Sequence, residues 1–213
     1  MKEYGTETIY EAYDRTERII WGREEPKEKD PAKKESIILR EKRIYELSQI
    51  DGMPEEMPYQ ISFRLLTTLL QTYSGDVDAV IKALGDVKPE QEECLRRRAA
   101  CAWYWITESA PDCAADMCFK IRDDGSKAED ISGDMLTAVQ RVRDEVVSKL
   151  ETYALDKECQ QAMYDIATSL GLEAKALFTA LYHALINKDQ GPRLANFMRI
   201  IGKERLTKIL SVY

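Results

Sequence analysis

The chain has 213 residues, of which 44% are hydrophobic and 32% are charged, and its formal net charge is −7. This is enough apolar material for one large domain or two small ones, and it excludes disordered, collagen-like and low-complexity chains. The longest apolar runs are too short to cross a bilayer, and the start of the chain lacks the apolar stretch of a signal peptide. We therefore expect a cytoplasmic protein with no membrane partner.

The cysteine, histidine and glycine content excludes several kinds of active site. Five cysteines without a close Cys-x-x-Cys pair indicate reduced thiols, and Cys113 and Cys118 lack two further zinc ligands. The single histidine, His183, cannot form a two-histidine metal motif, and we expect it to have a structural or surface role. The glycines are scattered, so no phosphate-binding loop is present. We expect no metal, no cofactor and no complete catalytic site in this chain.

The charge is unevenly distributed along the chain. Residues 171–213 contain seven lysines and arginines against three acidic residues, whereas the rest of the chain is strongly acidic. A basic end on an acidic body can attract a polyanion to one place. The alternative is a solvated helix face with a bias in charge.

The first half of the chain has helical periodicity interrupted by clear breakers. A helix is expected over 6–20, and Asp30-Pro31 provides an N-cap and first residue for a second helix, which should run to about Tyr45 with 46–50 extended. Ser62, Asp76 and Pro89 begin three further helices, which end at Ser74-Gly75, Gly85 and Ala110-Pro111. Arg96-Arg97-Arg98 is expected to form a solvated face, and Trp103 and Trp105 are expected to pack inside or between bundles.

The second half also has helical periodicity. An extended piece is expected at 118–121, followed by a long helix with apolar residues from Met135 to Tyr153 and a helix capped by Asp156 and ended by Gly171. Three more helices carry the apolar stripes of 177–185, 194–201 and 206–210. No segment alternates at a period of two for long enough to form a sheet. The predicted fold is all-α, with two packed helical bundles.

Several stretches are similar to a known family. Residues 176–210 read ALFTALYHALINKDQGPRLANFMRIIGKERLTKIL, and upstream come EAYDRTERIIWG at 11–22, RIYELS at 43–48 and MPYQISFRLLTTLLQ at 57–71. In order and spacing these resemble the C-terminal region of class I lysyl-tRNA synthetase, whose anticodon-binding helix cage is related to that of glutamyl-tRNA synthetase. The resemblance covers nearly the whole chain.

The resemblance implies a function and a division of the chain. The family ligates lysine to lysine tRNA with ATP, and its catalytic domain, with HIGH-like and KMSKS-like motifs, precedes this region; neither motif is found here. The chain then corresponds to a C-terminal fragment that recognises the anticodon and is inactive alone. Residues 1–50 would follow the catalytic core, 51–122 would form the first bundle of the anticodon-binding region, and 123–213 would form the C-terminal, anticodon-binding bundle.

The resemblance also implies a site. In the glutamyl relative, anticodon contacts come from the loop before the penultimate helix and from one position on the preceding helix. The RNA-binding residues that the resemblance implies are Tyr182, Gly191, Pro192, Arg193 and Leu194. Lys188 and Lys203 are predicted to join them because they belong to the basic segment. The relative carries arginine where this chain has Tyr182, so stacking is expected there in preference to reading of base edges.

Other interpretations remain open from the residues alone. The chain could be a non-catalytic helical scaffold that binds a protein partner through an apolar groove, or the same domain of a glutamyl-type synthetase. Tyr182 could be an ordinary half-buried helix residue, and Gly191-Pro192 is a common way to enter a helix. A free-standing enzyme is disfavoured because no catalytic set can be assembled around one histidine.

Overall fold

The computed structural model describes residues 5–50 and 52–213, and these residues form helices and loops without a β-strand. This confirms the all-α prediction, which followed from apolar residues recurring at helical spacing. Residues 1–4 and 51, at which two of the predicted segments begin, lie outside the described residues.

The helix boundaries follow the predicted caps in most places. The α-helices are α1 (Thr6–Ile20), α2 (Pro31–Ser48), α3 (Phe63–Thr72), α4 (Val77–Leu84), α5 (Pro89–Tyr104), α6 (Ala110–Cys113), α7 (Gly133–Arg141), α8 (Asp156–Ser169), α9 (Ala174–Ile186), α10 (Leu194–Ile201) and α11 (Lys203–Leu210). The Asp30 carboxylate accepts a hydrogen bond from the Ala32 N–H at 2.9 Å, and that of Asp76 accepts one from the Ala79 N–H at 3.0 Å. Each carboxylate satisfies an amide that has no partner within its helix.

Two helix ends differ from the prediction. Helix α2 continues to Ser48, so 46–50 is not extended throughout. The Ser48 hydroxyl and the Gln49 amide both donate to the Tyr45 carbonyl, at 2.7 and 3.3 Å, and so support the last turn. Asp156 is the first residue of α8 and not its N-cap; that position is taken by Leu155, whose N–H donates to the carboxylate of Glu158 at 3.2 Å.

Two π-helical turns, which are wider than α-helical turns, interrupt the predicted helices. A π-helical turn at Trp105–Ser109 leads from α5 into α6, so the helical path passes Pro111 and ends at Cys113. Proline is tolerated there because it occupies the start of a new turn, where its missing N–H costs little. A second π-helical turn, Val142–Val146, followed by a 3₁₀ segment, Val147–Thr152, interrupts the long helix predicted over 135–153.

The chain divides into two compact units. The first comprises Met1–Thr67 and Leu84–Ala102, and the second comprises Thr68–Ala83 and Trp103–Tyr213. These limits do not coincide with the three predicted segments, and that division, like the packing of two bundles, stays a prediction.

The second unit has the larger described core. Helix α10 buries Leu194, Phe197, Met198 and Ile201, at helical spacings of 3, 1 and 3 residues, and α9 buries Leu181 against the same cluster. Fully burying a side chain of this size contributes about 1.5–3 kcal/mol. The two helices are therefore held firmly, and the loop between them is fixed at both ends.

The first unit contains a buried ion-pair network that corrects one prediction. Arg96 and Arg97 pair with glutamates one turn earlier on the exposed face of α5, as a solvated face requires. Arg98, however, pairs with Asp14 at 2.7 Å and with Glu17 at 3.2 Å, and its side chain is only 13% exposed. Successive helical residues are rotated by about 100°, so three in a row cannot all face solvent. The prediction of a solvated face was wrong for Arg98.

Further polar groups complete this network. The Tyr45 hydroxyl donates to Glu17 at 2.9 Å, and the Gln60 amide donates to the other oxygen of that carboxylate at 2.8 Å. Burial raises the pKa of Asp14, and the nearby Arg98 guanidinium opposes this rise without cancelling it. The network is consequently satisfied as a set, and each member depends on the others.

Candidate nucleic-acid interface

The α9–α10 loop, defined as residues 187–193, is a polar segment between two buried helices. Helix α9 ends at Ile186, and Asn187 adopts the left-handed conformation with φ of 56° while its N–H donates to the His183 carbonyl at 3.2 Å. Asparagine tolerates this conformation well, which explains why the helix ends there. The apolar pattern resumes at Leu194, which is buried. The loop therefore emerges from the core and returns to it within seven residues.

Tyr182 holds the far end of this loop. Its hydroxyl donates a hydrogen bond to the Pro192 carbonyl at 2.6 Å, and burial raises the pKa of Tyr182. The residue implied by the resemblance as a stacking surface thus contacts the loop backbone directly. Its ring is partly buried against the core, so its position is fixed by packing as well as by the hydrogen bond.

Gly191 lies close to two side chains of α9. A Cβ atom at this position would lie 2.8 Å from the Ile186 Cδ1 and 3.1 Å from the Tyr182 Cε1. The first distance is shorter than any normal van der Waals contact, so a larger residue would require the buried Ile186 side chain to shift and would crowd the Tyr182 ring. The Gly-Pro pair of the loop is consequently packed against the C-terminal part of α9.

His183 ties the middle of the loop to another segment. Its Nδ1 lies 2.5 Å from the Asp130 carboxylate, and its Nε2 lies 2.7 Å from the carboxylate of Asp189 in the loop. Burial lowers the pKa of His183, but the hydrogen bonds with Asp189 and Asp130 outweigh it and the pKa is raised. A protonated imidazole can donate to both carboxylates at once, so the charged form anchors the loop.

Arg193 projects from a loop that is otherwise held in place. It is exposed, and its guanidinium has no hydrogen bond or ion pair among the described residues. It is the N-cap of α10, and its carbonyl accepts from the Phe197 N–H at 2.9 Å. Arg193 therefore combines a fixed backbone with a side chain available to a ligand.

Lys188 and Lys203, the two lysines of the predicted RNA-binding set, lie in different places. The Lys188 ammonium donates to the Ala115 carbonyl at 2.5 Å, so it is partly engaged by the protein. Lys203 is the first residue of α11, beyond Gly202 at the other end of α10, and its ammonium has no polar partner in the part of the chain that the structure describes. The structure thus groups Tyr182, Gly191, Pro192, Arg193, Leu194 and Lys188 around the α9–α10 loop. Lys203 lies beyond the other end of α10, a helix roughly 12 Å long.

The other cations of the basic segment divide into two kinds. Arg199 pairs with Asp156 at 3.0 Å, and Arg205 pairs with Asp123. Lys175 and Lys208 are exposed and form no ion pair with any described residue. The positive charge available at this end is therefore smaller than the sequence count suggests.

Sequence reasoning missed several residues that shape the site. The Arg122 guanidinium donates to the Asn187 Oδ1 at 2.6 Å, and the Arg122 backbone N–H donates to the Leu185 carbonyl at 2.8 Å. Asp130 and Asp189, which hold His183, were not singled out either. An asparagine after a helical stripe does signal a left-handed C-terminal residue, but the long-range partners leave no local signal.

The described residues contain neither a metal-binding cluster nor a membrane-spanning helix. No three histidine, cysteine or acidic side chains come together there as metal ligands, and all five cysteines have free thiols. No helix in the described ranges has the length and apolar character needed to cross a bilayer.

Comparison with known proteins identifies relatives along nearly the whole chain. No family model matches the sequence. The chain is similar to the lysine–tRNA ligase of Treponema pallidum (strain Nichols), with 42% identity over 206 residues covering 96% of this chain and 37% of that protein. It is similar to the ligase of Borrelia garinii subsp. bavariensis at 35% identity, covering 96% of this chain and 37% of that protein.

An archaeal relative shows the same extent of similarity. The lysine–tRNA ligase of Thermococcus kodakarensis is 32% identical over 213 residues, covering 97% of this chain and 38% of that protein. The chain thus spans a little over a third of the length of the curated relatives it matches. Similarity of this extent to both spirochaete and archaeal proteins agrees with the resemblance found in the motifs. The chain belongs to the lysine–tRNA ligase family, as a segment of the class I type.

Proposed function

We propose that this chain is the tRNA-recognition part of a cytoplasmic class I lysyl-tRNA synthetase, corresponding to its C-terminal region, and that it binds the anticodon of lysine tRNA. The observation that carries the proposal is the α9–α10 loop in a chain of this family. The loop is anchored through Tyr182 and His183, and the Arg193 side chain has no polar partner within residues 5–50 and 52–213.

The chemistry of the loop suits an unpaired stretch of RNA. Anticodon bases are exposed and can be splayed out, stacked and read along their edges. The planar guanidinium of Arg193 can stack on a base or donate two parallel hydrogen bonds to an acceptor edge. Because the loop is already fixed in place, less conformational freedom is lost when RNA binds.

The ligation reaction itself is proposed to reside outside this chain. The sequence has no HIGH-like motif, KMSKS-like motif or glycine-rich phosphate loop. We expect ATP to act in the longer protein, and we expect the isolated chain to show no lysine-dependent exchange between ATP and pyrophosphate. Exchange above that of a mock-purified control would contradict the proposal that the ligation reaction resides outside this chain.

A binding titration tests the proposed recognition. The chain is titrated with an anticodon stem-loop of lysine tRNA and with a stem-loop of the same length whose loop sequence is scrambled, at several salt concentrations. The cognate RNA should bind more tightly at every salt concentration. Equal affinity for the two RNAs would show that the chain attracts RNA by charge alone, and absence of binding to both would overturn the proposal.

A second candidate function, a scaffold that binds a protein, is favoured by one feature of the first unit. Helix α2 and the residues after it expose the large apolar side chains of Leu39, Ile44, Leu47 and Ile50, the last of them 98% exposed. A protein-binding surface would require these side chains to form one contiguous apolar patch. This candidate predicts no preference for the cognate stem-loop, so the same titration separates the two functions.

A further inference from the structure

A cavity of about 730 Å³ lies in the second unit beside the α9–α10 loop. Its lining includes Asn187 and Lys188 from the loop, residues 119–124 from the segment before α7, and Arg205 from α11. Pockets that hold small organic ligands have volumes of roughly 300–1,000 Å³, so a single nucleotide is of suitable size. None of the residues implied by the resemblance lines this cavity; Lys188 is the member of the predicted RNA-binding set that does.

The charge of the lining favours an anion. Four cationic side chains, those of Lys120, Arg122, Lys188 and Arg205, face two acidic ones. Both carboxylates are already engaged, because Asp123 pairs with Arg205 and Asp124 accepts hydrogen bonds from the amide and hydroxyl of Ser126 at 3.0 and 2.7 Å. Since Arg122 donates only to neutral groups, the excess positive charge comes from Arg122 and the two lysines.

Two ammonium groups of the lining retain unused donors. Lys120 is exposed, and its side chain has no polar partner among the described residues. Lys188 donates to the Ala115 carbonyl, which uses one of its three hydrogens. A phosphate oxygen could accept from either group, and hydrogen bonds between charged partners are about twice as strong as neutral ones.

The remaining wall is apolar and firmly placed. It is formed by Phe119, Ile121 and Ile186, of which the two isoleucines are buried. Phe119 packs edge-to-face on Phe197, with ring centroids 5.2 Å apart and an interplanar angle of 76°. A base can stack on such a ring regardless of its sequence identity, because every base has a π face.

Hydrogen bonds hold the cavity open in one shape. The Arg122 guanidinium donates to the Ser126 hydroxyl and the Lys127 carbonyl, both at 3.0 Å, and also to Asn187. It thereby links the segment before α7 to the C-terminal end of α9. The cavity is consequently preorganised by the same residues that fix the start of the α9–α10 loop.

We propose that this cavity receives one nucleotide of the bound RNA, splayed out of the stack, with its base against Phe119 and its phosphate between Lys120 and Lys188. This inference rests on the proposed function, since it requires RNA at the adjacent loop. It adds a second contact point, separate from Arg193. The cavity recognises the backbone and the aromatic character of the base, whereas Arg193 is placed to read sequence.

The first test removes the two ammonium groups. The Lys120→Ala/Lys188→Ala double variant should bind cognate and scrambled stem-loops about 5- to 50-fold more weakly than wild type, because it loses a backbone contact common to both RNAs. The slope of log affinity against log salt should fall by roughly 1–2. Lys175→Ala is the matched control, since Lys175 lies in the same unit, is exposed, forms no ion pair with any described residue and does not line the cavity. Lys120→Ala alone should show part of the effect without disturbing any hydrogen bond.

The second test finds the nucleotide. Stem-loops carrying one neutral methylphosphonate linkage are titrated position by position against wild type and Lys120→Ala. At one loop position the neutral linkage should weaken wild-type binding at least threefold and should weaken Lys120→Ala binding by a smaller factor, because only Lys188 then remains to contact that phosphate. An abasic nucleotide at that position or the one next to it should also weaken wild-type binding.

The outcomes separate this inference from the proposed function. If wild type prefers the cognate RNA and the double variant behaves like Lys175→Ala, the cavity does not hold a nucleotide although the recognition proposal stands. If no position shows coupling to Lys120, the lysines act only at long range and the cavity assignment is overturned. If wild type binds neither RNA, the proposed function itself has failed.

Discussion

The Tyr182 hydroxyl donates to the Pro192 carbonyl across 2.6 Å, so a residue in the last two turns of one helix holds the residue two positions before the next. This contact makes the ring of Tyr182 a support for the loop backbone. A base that stacks nearby would therefore meet a loop whose conformation is set before binding.

Removing that hydroxyl should loosen the loop while keeping the fold. Tyr182→Phe retains the packed ring but leaves the Pro192 carbonyl without its donor, and a hydrogen bond of this type contributes about 0.5–1.5 kcal/mol. We expect faster amide hydrogen exchange in residues 187–193 and weaker binding of the cognate stem-loop. Tyr164→Phe, on α8, is the control, because the Tyr164 hydroxyl has no hydrogen bond in the described structure. Unchanged exchange in the loop would show that ring packing alone positions it.

Arg193 and Lys203 should differ in what they contribute to RNA binding. Losing one good base contact costs about 1–3 kcal/mol, so Arg193→Ala should weaken cognate binding and reduce the preference over the scrambled loop. Lys203→Ala should weaken both RNAs alike and lower the salt slope by up to about one unit. The measurement is a titration of each variant against both stem-loops. An unchanged cognate-to-scrambled ratio in Arg193→Ala would assign this arginine to the phosphates or to solvent.

Because the chain contains one histidine, an imidazole pKa measured by NMR can be assigned to His183 directly. The pKa of His183 is raised above its ordinary value of about 6.5, since its hydrogen bonds with Asp189 and Asp130 outweigh burial. Its protonation therefore stabilises the folded loop; the contribution is complete below about pH 6.5 and is lost as the pH rises through the folded-state pKa. An NMR titration of the imidazole should give a midpoint above 6.5, and Asp189→Asn should lower that midpoint.

A control separates this local effect from the general charge of the protein. Asp165→Asn removes the same charge from α8, at a carboxylate that accepts from Gln161 and does not contact the imidazole. It should leave the His183 midpoint nearly unchanged. A wild-type midpoint at or below 6.5 would mean that the two aspartates do not hold the charged form.

The buried arginine of the first unit should dominate the stability of that unit. Arg98→Met removes the partner of Asp14 and Glu17 and leaves two buried carboxylates uncompensated, a change that typically costs 3–5 kcal/mol. Urea unfolding should show a loss of this size. Arg97→Ala is the matched control, because Arg97 is the neighbouring residue and forms an exposed pair, and its loss should cost under about 1 kcal/mol. Similar losses in the two variants would show that the network contributes little.

The local features of this fold could be predicted because they depend on nearby residues. Helix periodicity, the caps at Asp30 and Asp76, and the breaks at Gly75, Gly171 and Gly202 are all encoded within a few positions. The loop at 187–193 and its Gly-Pro pair could likewise be located from the apolar stripes on either side. The family could be identified because the motifs are collinear with those of known synthetases.

The remaining features depend on partners that are distant in sequence. The hydrogen bond from Tyr182 spans ten residues, the pair of His183 with Asp130 spans 53, and that of Arg98 with Asp14 spans 84. No spacing rule reports such contacts, so Arg98 was assigned to a solvated face. The π-helical turns leave no local signal either, because the buried residues keep helical spacing through them, as at Ala102, Ile106 and Ala110.

Helix α10 also sets the distance between two cationic side chains. It is eight residues long and joins α11 through Gly202 alone, so its length fixes the separation of Arg193 at one end and Lys203 beyond the other. At 1.5 Å per residue the eight residues of α10 span roughly 12 Å along the helix axis. Inserting one residue into α10 would rotate one end relative to the other by about 100°, so the relative orientation of Arg193 and Lys203 and the packing of the core are set by the same eight residues.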